Sequence, residues 1–253
     1  LAGGTMKDWA LLSFMGRANY TFDNKYLLTA TVRRDGTSRI AKKNRWGTFP
    51  SFSAAWRISE ESFYKKNNIV GDIKLRAGYG VTGNQNDLDE YAHITRLKTG
   101  QYVFGGTAVS TLYPFIMPSP DIKWETVKQS NIGVDFSLLK QRINVTFDTY
   151  IKKTTDMLVK MAVPITTGYS DIEVPKINAG KVKNTGWELT ISSQNIRGAF
   201  EWNTDMNVSF NKNKVEELNG GAPMYFKEIN LSTFSKVNVN GQPIGSFYGY
   251  VTD

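Results

Sequence analysis

Three glycines have the spacing of a dinucleotide-binding loop: Gly78, Gly80 and Gly83 form a G-x-G-x-x-G pattern. Such a loop binds a pyrophosphate where a strand passes into a helix, and an acidic residue about 20 positions later binds the ribose. A strand-like segment precedes Gly78, but no amphipathic helix follows Gly83, and residues 91–120 contain neither Asp nor Glu. We therefore expect these glycines to lie on a strand, where the missing side chains leave space beside the sheet.

A second group of residues carries the oxygen ligands that calcium prefers. Its members follow the glycines directly: Asn84, Asn86, Asp87, Asp89 and Glu90. The group lacks the spacing and the glycine of an EF-hand loop, so a polar loop is the favoured interpretation. Within that loop, Asn84 and Asn86 are candidate contacts for a substrate or a partner.

The chain offers few groups for catalysis. His93 is the only histidine, and its neighbours in sequence do not supply a catalytic triad. Glu188, Glu201 and Asp205 are predicted to share one face of neighbouring strands, and paired acids can hydrolyse glycosides. Acidic side chains inside a transport pore, however, ordinarily keep the pore hydrated and select among solutes. We therefore predict a protein that is not an enzyme and that uses no metal or cofactor.

The composition narrows the class of protein. The 253 residues carry 31 Lys and Arg against 23 Asp and Glu, a net charge of +8, and no cysteine, which excludes a disulfide framework. No secretory leader is recognisable, and no segment has the roughly 20 predominantly apolar residues of a membrane-spanning helix. The final residues, 245–253, resemble a strand that is cut short, so the chain is predicted to be an internal piece of a longer protein.

Alternation of apolar and polar residues is the dominant pattern. In residues 11–22, for example, Phe14, Tyr20 and Phe22 fall on one face and Arg17 falls on the other. A period of two predicts a strand with two different faces. Eight such strands are predicted, at residues 11–22, 26–34, 51–58, 73–82, 129–137, 143–151, 187–193 and 200–211.

The links between these strands alternate in length. Short or moderate links at 23–25, 59–72, 138–142 and 194–199 alternate with longer ones at 35–47, 83–123, 152–181 and 212–243. Short turns at one end and long loops at the other are typical of an outer-membrane barrel. The predicted fold class is therefore all-β, a transmembrane antiparallel β-barrel. A soluble β-sandwich, which also alternates, is the alternative.

The barrel interpretation predicts which side chains face lipid. Aromatic residues beside the short turns suit an interfacial girdle and should point away from the barrel axis, whereas charged residues on the other face should point toward it. The expected outward set is Tyr20, Phe22, Tyr26, Trp56, Phe200 and Trp202, and the expected inward set is Arg17, Lys74, Arg76, Asp148, Glu201 and Asp205.

Five blocks of sequence resemble the SusC/RagA family of TonB-linked outer-membrane transporters. They are RRDGTSRIAKKNRWGTFPSFSAAWRISEESF (33–63), DIKLRAGYGVTGNQ (72–85), PDIKWETVKQSNIGVDFSLLKQRINVTFDTYIKKTTDML (120–158), NAGKVKNTGWELTI (178–191) and GQPIGSFYGY (241–250). The resemblance implies that residues 1–253 are part of an approximately 22-stranded barrel, with the plug and the TonB-contacting segment outside this chain. It also implies a SusD-like surface lipoprotein partner and import of oligosaccharides or peptides by a Bacteroidota-like bacterium.

Two loops are expected to contact substrate or partners. The basic candidates are Arg33, Arg39, Lys43 and Arg45, which suit lipopolysaccharide phosphates, an acidic substrate, a lipoprotein lid, or only solvent. The aromatic candidates are Tyr102, Phe104, Tyr113 and Phe115, in a loop that is expected to fold over the lumen or meet the lid. Nucleic acid is a poor alternative because no recognition helix accompanies the basic residues. A passive pore or a surface-binding barrel remains the alternative function.

Overall fold

The computed structural model describes residues 6–65, 67–160, 166, 169, 176–227 and 234–249. No helix in these ranges is long and apolar enough to cross a membrane. The strands are β1 Leu11–Phe22, β2 Tyr26–Thr37, β3 Trp46–Arg57, β4 Val70–Asn84, β5 Arg96–Phe104, β6 Thr107–Ile116, β7 Glu125–Leu138, β8 Ile143–Lys160, β9 Lys176–Ile196, β10 Trp202–Leu218, β11 Met224–Lys227, β12 Phe234–Asn238 and β13 Ser246–Phe247. Eight of them form one antiparallel sheet in the order β1-β2-β3-β4-β7-β8-β9-β10, which confirms the eight predicted strands.

The register of the large sheet separates an apolar face from a polar face. Directly paired residues across an antiparallel sheet lie on the same side. One row of pairs, on what we call the apolar face, consists of Leu75, Val134, Phe147, Leu189 and Val208. The adjacent row, on the polar face, consists of Arg76, Gly133, Asp148, Glu188 and Ser209. The period-two pattern therefore places the two sets on opposite sides of the sheet.

An aromatic ladder lies beside the first short turn. The rings of Tyr20, Phe22, Tyr26 and Trp56 stack in sequence, with centroid distances of 6.5, 6.4 and 6.5 Å. The turn itself has positive φ at Asp23 (48°), a conformation that Asp and Asn tolerate better than most residues. The four aromatic residues therefore share the apolar face at the short-turn end, as the period-two pattern predicts.

Two members of the predicted face sets do not lie in strands. Phe200 and Glu201 precede β10, which begins at Trp202 and not at residue 200. Their orientation therefore cannot follow from strand alternation. Arg17 does lie on the polar face, where its Nε donates a hydrogen bond to Thr31 Oγ1 at 3.1 Å.

Several strands extend beyond their predicted ends. Strands β8, β9 and β10 have 18, 21 and 17 residues, so parts of the predicted loops 152–181 and 212–243 are paired strand. Likewise, Arg33 and Asp35 lie in β2 and not in the first long loop. Alternation is a sign of two different environments. Backbone pairing continues past the apolar band, where Lys183 and Lys214 lie on one side and Val182 and Val215 are buried in a second small core on the other, so the pattern of the central strands no longer applies.

The predicted loop 83–123 contains a separate β-hairpin. Among the described strands, β5 and β6 pair only with each other, through the turn at Gly105 and Gly106, whose φ values are +58° and +82°. This φ region favours glycine and is typical of tight hairpin turns. Strands β11, β12 and β13 form a third, small sheet, so the predicted terminal strand has two paired residues. Residues 250–253 lie outside the described part.

A small hydrophobic core lies at the long-loop end of the sheet. It consists of Ile40, Phe49, Leu88, Ile122 and Trp124, all less than a tenth exposed. The rings of Phe49 and Trp124 meet edge to face at 5.5 Å, and the Trp124 indole donates to the carbonyl of Arg45 at 2.9 Å. This core joins the first long loop to the segment that follows the hairpin.

The core also explains the third glycine of the G-x-G-x-x-G pattern. Direct pairing of β3 with β4 ends at Ser51 and Gly80, and the Phe49 ring lies beyond that point. A Cβ on Gly83 would stand 2.1 Å from the Cζ of Phe49, much closer than van der Waals contact allows. Gly83 therefore gives space to a core aromatic ring, and no helix follows it.

Candidate functional site

The first two glycines of the pattern line a depression in the polar face. A Cβ on Gly78 would stand 2.6 Å from Oδ1 of Asn131, whereas Gly80 has only the Cβ of Ser51 nearby, at 3.6 Å. The cavity beside them has a volume of about 300 Å³. Its other polar lining residues are Thr29, Ser53, Thr82 and Gln129. The glycine-bearing strand thus leaves space on the polar face, as the sequence predicts.

Two further glycines allow large polar side chains to lie against the sheet. A Cβ on Gly133 would be 2.1 Å from an Asp148 oxygen and 2.7 Å from Arg76 Nη2. A Cβ on Gly186 would be 2.7 Å from the hydroxyl of Tyr150. Because these side chains pass directly over glycine, they occupy the surface of the sheet and leave the space above it open.

An ion cluster on the polar face links three strands. Arg76 donates through Nε and Nη2 to both oxygens of Asp135, at 2.8 and 2.9 Å, and through Nη2 to Asp148 at 2.8 Å. Lys74 lies 3.8 Å from the same Asp135 carboxylate. Sequence reasoning predicted the inward face for Arg76 but missed its carboxylate partners, because strand pairing brings together residues that are 59 and 72 positions apart.

The carboxylates proposed from sequence as an acid group are not brought together. Asp205 pairs with Ser192, Glu188 pairs with Asp148 in β8, and Glu201 lies outside β10. The predicted acid group is therefore wrong. The carboxylates that do lie close together on the polar face are those of Asp135 and Asp148, and both bind the Arg76 guanidinium.

We expect Arg76→Met to lower the stability of the folded full-length protein in detergent. The change leaves Asp135 and Asp148 with only Lys74 nearby, and charged hydrogen bonds of this kind contribute about 1–2 kcal/mol after solvent screening. The measurement is the temperature at which the unboiled protein loses its folded mobility on denaturing gels.

The matched control is Arg17→Met, because Arg17 shares the polar face but bonds only to the neutral hydroxyl of Thr31. Adding Asp148→Asn to Arg76→Met should restore part of the lost stability. Equal losses in the Arg17 and Arg76 variants would contradict the role assigned to the cluster.

The predicted basic residues make contacts within the chain. Arg33 pairs with Asp35 at 2.7 Å, and Lys43 pairs with Asp121. The Arg45 guanidinium donates to the carbonyl of Ile40 at 3.4 Å. Of these contacts, the Lys43–Asp121 pair joins the first long loop to another segment, whereas the Arg45 bond lies within the loop and the Arg33–Asp35 pair within β2. Substrate or partner contact by these residues remains a prediction.

Arg39 belongs to a network that crosses two loops. Its guanidinium lies 3.1 Å from Glu90 and 4.3 Å from the centre of the Trp9 ring, and its carbonyl oxygen is 3.1 Å from Nδ1 of His93. His93 is thus a loop residue in contact with a backbone oxygen. Lys7 lies 3.3 Å from Glu90, and this hydrogen bond raises the pKa of the Lys7 ammonium.

The acidic part of the polar loop is neutralised by cations. Asp89 is 3.6 Å from Lys7 and 3.4 Å from Arg96. Burial raises the pKa of Asp89, but the hydrogen bond from the Tyr91 amide and the two cations outweigh it, so the net direction is downward. Across the described ranges, no three acidic or histidine side chains are grouped as metal ligands.

The two candidate asparagines stabilise the start of this polar loop. The Asn84 amide donates to Glu125 at 3.2 Å, and its oxygen accepts from the backbone of Asn86 at 3.0 Å. The first bond joins the end of β4 to the start of β7, and the second holds the first residues of the loop. Contact of either asparagine with substrate remains a prediction.

The hairpin presents three of the four aromatic candidates on one face. The pairing register places Tyr102, Phe104 and Tyr113 on the same side, and they are 62%, 75% and 45% exposed. Tyr113 lies against Gly100, where a Cβ would be 2.8 Å from the ring. Phe115 belongs to β6, but its side chain lies outside the described part. The hairpin thus exposes an aromatic surface that no other described residue covers.

Comparison with known proteins identifies the family. The family described as "TonB dependent receptor-like, beta-barrel" matches residues 2–250. TonB-dependent receptor P39 of Formosa agariphila is 38% identical over 242 residues, which cover 95% of this chain and 22% of that protein. TonB-dependent receptor SusC of Bacteroides thetaiotaomicron is 37% identical over 252 residues, which cover 95% of this chain and 25% of that protein. The chain thus spans about a quarter of the length of these relatives.

A solved structure supports the same assignment. The protein described as "Structure of the RagAB peptide transporter" superposes with a TM-score of 0.82 and 26% identity, over 94% of this chain and 25% of that one. These relatives are receptors and transporters, not enzymes, in agreement with the prediction from sequence. The chain therefore belongs to the TonB-dependent receptor β-barrel family, as a segment of a SusC/RagA-type transporter barrel.

Proposed function

We propose that the protein containing this chain imports nutrients across the outer membrane of a Bacteroidota-like bacterium. In this proposal, residues 1–253 form part of the barrel wall, and the apolar face of the sheet faces lipid. The polar face, with its glycines and the Arg76 cluster, lines the lumen. The plug and the TonB-contacting segment belong to other parts of the protein, and a SusD-like lipoprotein closes the extracellular mouth.

The exposed hairpin is the observation that carries this proposal. It connects β4 to β7 at the long-loop end, which is the extracellular end in outer-membrane barrels. Phe104 is 75% exposed and Tyr102 62%. Exposed aromatic side chains that form one surface are typical of binding sites. We infer that this surface meets the lipoprotein lid and helps to enclose the substrate.

The proposed substrates are oligosaccharides or peptides. Aromatic rings such as those of Tyr102 and Tyr113 can stack on sugar rings or contact apolar peptide side chains. The uncharged polar residues beside them supply hydrogen-bonding groups, as Thr111 does on the same face. Similarity to the RagAB peptide transporter favours peptides, whereas the name of SusC does not state a substrate.

Uptake by the full-length protein tests active import against a passive pore. A strain that lacks the gene is complemented with the intact gene or with a variant that lacks its TonB-contacting segment, and uptake of labelled oligosaccharide and peptide mixtures is measured. We expect uptake of one substrate class with the intact protein only, and loss of that uptake when the proton-motive force is dissipated. Uptake that persists in both conditions would indicate a passive pore instead.

A further inference from the structure

Four lysines form a row across four neighbouring strands at the long-loop end of the sheet. Lys128 of β7 pairs with Lys153 of β8, Lys153 with Lys183 of β9, and Lys183 with Lys214 of β10. Each pair is a direct register partner, so the four side chains leave the sheet on one side. We refer to these four residues as the lysine row.

The lysine row lies on the apolar face. Trp187 and Phe210 stack at a centroid distance of 6.4 Å, and each lies four residues from a lysine of the row on its own strand. A separation of four residues returns to the same side of a strand. No register shift interrupts β9 and β10 between these positions. The row is therefore continuous with the apolar surface that we assign to lipid.

The height of the row suits the polar edge of a membrane. From Met206 to Lys214 the strand advances eight residues, or about 26 Å at about 3.3 Å per residue. With a tilt of about 40° the rise is about 20 Å, close to the apolar band of about 25 Å in outer-membrane barrels. Below the lysines on the same face lie Ile151, two residues away on β8, and then Trp187 and Phe210, four residues away on β9 and β10. The ammonium groups therefore lie where lipid headgroups begin.

Among the described residues, a single carboxylate lies within ion-pair distance of the four lysines. Neighbouring strands are about 5 Å apart, and like charges directly opposite each other are destabilising. Lys153 lies 3.8 Å from Glu216. Among the described residues, no carboxylate lies within ion-pair distance of Lys128, Lys183 or Lys214. Lys212, one level lower on β10 and opposite Thr185, adds a further positive charge to the same face.

We propose that the lysine row binds the phosphorylated headgroup of an outer-leaflet glycolipid such as lipopolysaccharide. A lipid is favoured over a soluble anion because the surface below the row is apolar, so the acyl chains of the same molecule can pack on Trp187, Phe210 and Ile151. Lysines bind phosphate as compact charges on flexible stems, and such stems reach the membrane interface readily. The inference rests on the proposed membrane location but not on the transported substrate.

The test measures glycolipid that remains bound to the full-length transporter after purification in detergent. Mass spectrometry quantifies bound glycolipid in the wild type and in a variant with Lys→Gln changes at all four positions. Each lysine near an anionic surface contributes a factor of about five in affinity. We therefore expect at least a tenfold loss of bound glycolipid. Replacing the four lysines with arginine should preserve it.

Lys152→Gln is the matched control, because Lys152 is adjacent to Lys153 on the same strand but faces the other side, opposite Asn184. It should retain wild-type glycolipid. Folded mobility on unboiled gels reports whether each variant is assembled. If the fourfold variant fails to fold, two double variants, Lys128→Gln with Lys153→Gln and Lys183→Gln with Lys214→Gln, replace it and should each show a clear loss.

A second measurement identifies the source of the phosphate. Adding purified lipopolysaccharide to delipidated wild-type protein should raise its melting temperature, whereas inorganic phosphate should not. Equal stabilisation by inorganic phosphate would overturn the lipid assignment, as would equal bound glycolipid in the wild type and the fourfold variant. Both readouts use purified protein, so they are independent of uptake. A failed uptake experiment with normal glycolipid binding would reject only the proposed function.

Discussion

Removing residues 99–111 from the full-length transporter is expected to reduce uptake to the level of a strain without the gene, while the barrel still assembles. The deletion removes most of the hairpin, whose strands pair only with each other. Every hydrogen-bonded neighbour in the eight-stranded sheet therefore remains. What is lost is Tyr102 and Phe104, two of the three described residues of the aromatic surface that we infer contacts the lid, whereas Tyr113 remains. The measurements are uptake, co-purification of the lipoprotein, and folded mobility on unboiled gels.

Point variants separate the aromatic face from the hairpin as a whole. Tyr102→Ser with Phe104→Ser removes two residues from the aromatic face. Val103→Ser with Leu112→Ser removes two equally exposed apolar residues, 65% and 68%, from the opposite face. Aromatic contacts at the centre of an interface commonly contribute 2 kcal/mol or more, so we expect the first pair to weaken lid association by at least about tenfold. Normal uptake and normal co-purification of the lipoprotein after deletion of residues 99–111 would contradict the proposed contact between the hairpin and the lid.

Residues 1–253 expressed alone are expected to be insoluble without detergent. In the described structure, β1 and β10 each have one strand neighbour, so the sheet has two open edges. Its apolar face exposes large side chains, including Phe14 (59%), Phe52 (57%) and Phe210 (54%). Open edges and large apolar surfaces both promote aggregation in water. We expect inclusion bodies, or material that remains in solution only with detergent.

The control for this experiment is the same chain refolded into detergent micelles or lipid vesicles, where strand content should be recovered as measured by circular dichroism. Size-exclusion chromatography and thermal melting report the state in detergent-free buffer. A monodisperse, detergent-free monomer with a cooperative melt would favour the soluble β-sandwich over the membrane barrel.

The central parts of the eight barrel strands were predictable because each of them separates two environments. Residues such as Leu75 and Arg76 alternate between the apolar and the polar face, and that alternation is visible in any window of the chain. The strand ends were not predictable in this way. In β9, the 21 residues continue well past the apolar band, and there pairing depends on backbone hydrogen bonds that leave no pattern in hydropathy.

The hairpin shows a different limit of sequence reasoning. Residues 96–116 lie within the predicted loop 83–123, yet they form two strands, and Gly105 and Gly106 form the turn between them. The prediction that a partner or the barrel mouth would cover the apolar residues is only partly addressed. Among the described residues, Tyr102, Phe104 and Tyr113 remain exposed, whereas Ile116 and Met117 are half-buried, so cover by a partner stays a proposal.

By itself, the sequence determined the fold class, the two faces of the central strands, and the family, because local alternation and contiguous blocks carry that information. Only the tertiary structure decided which distant residues meet. The ion cluster of Arg76 with Asp135 and Asp148, the fit of Phe49 against Gly83, and the lysine row all depend on the register between strands. Register is a nonlocal property, because a shift of one residue moves every side chain to the opposite face. It is therefore set by how whole strands pair, and no short stretch of sequence specifies it.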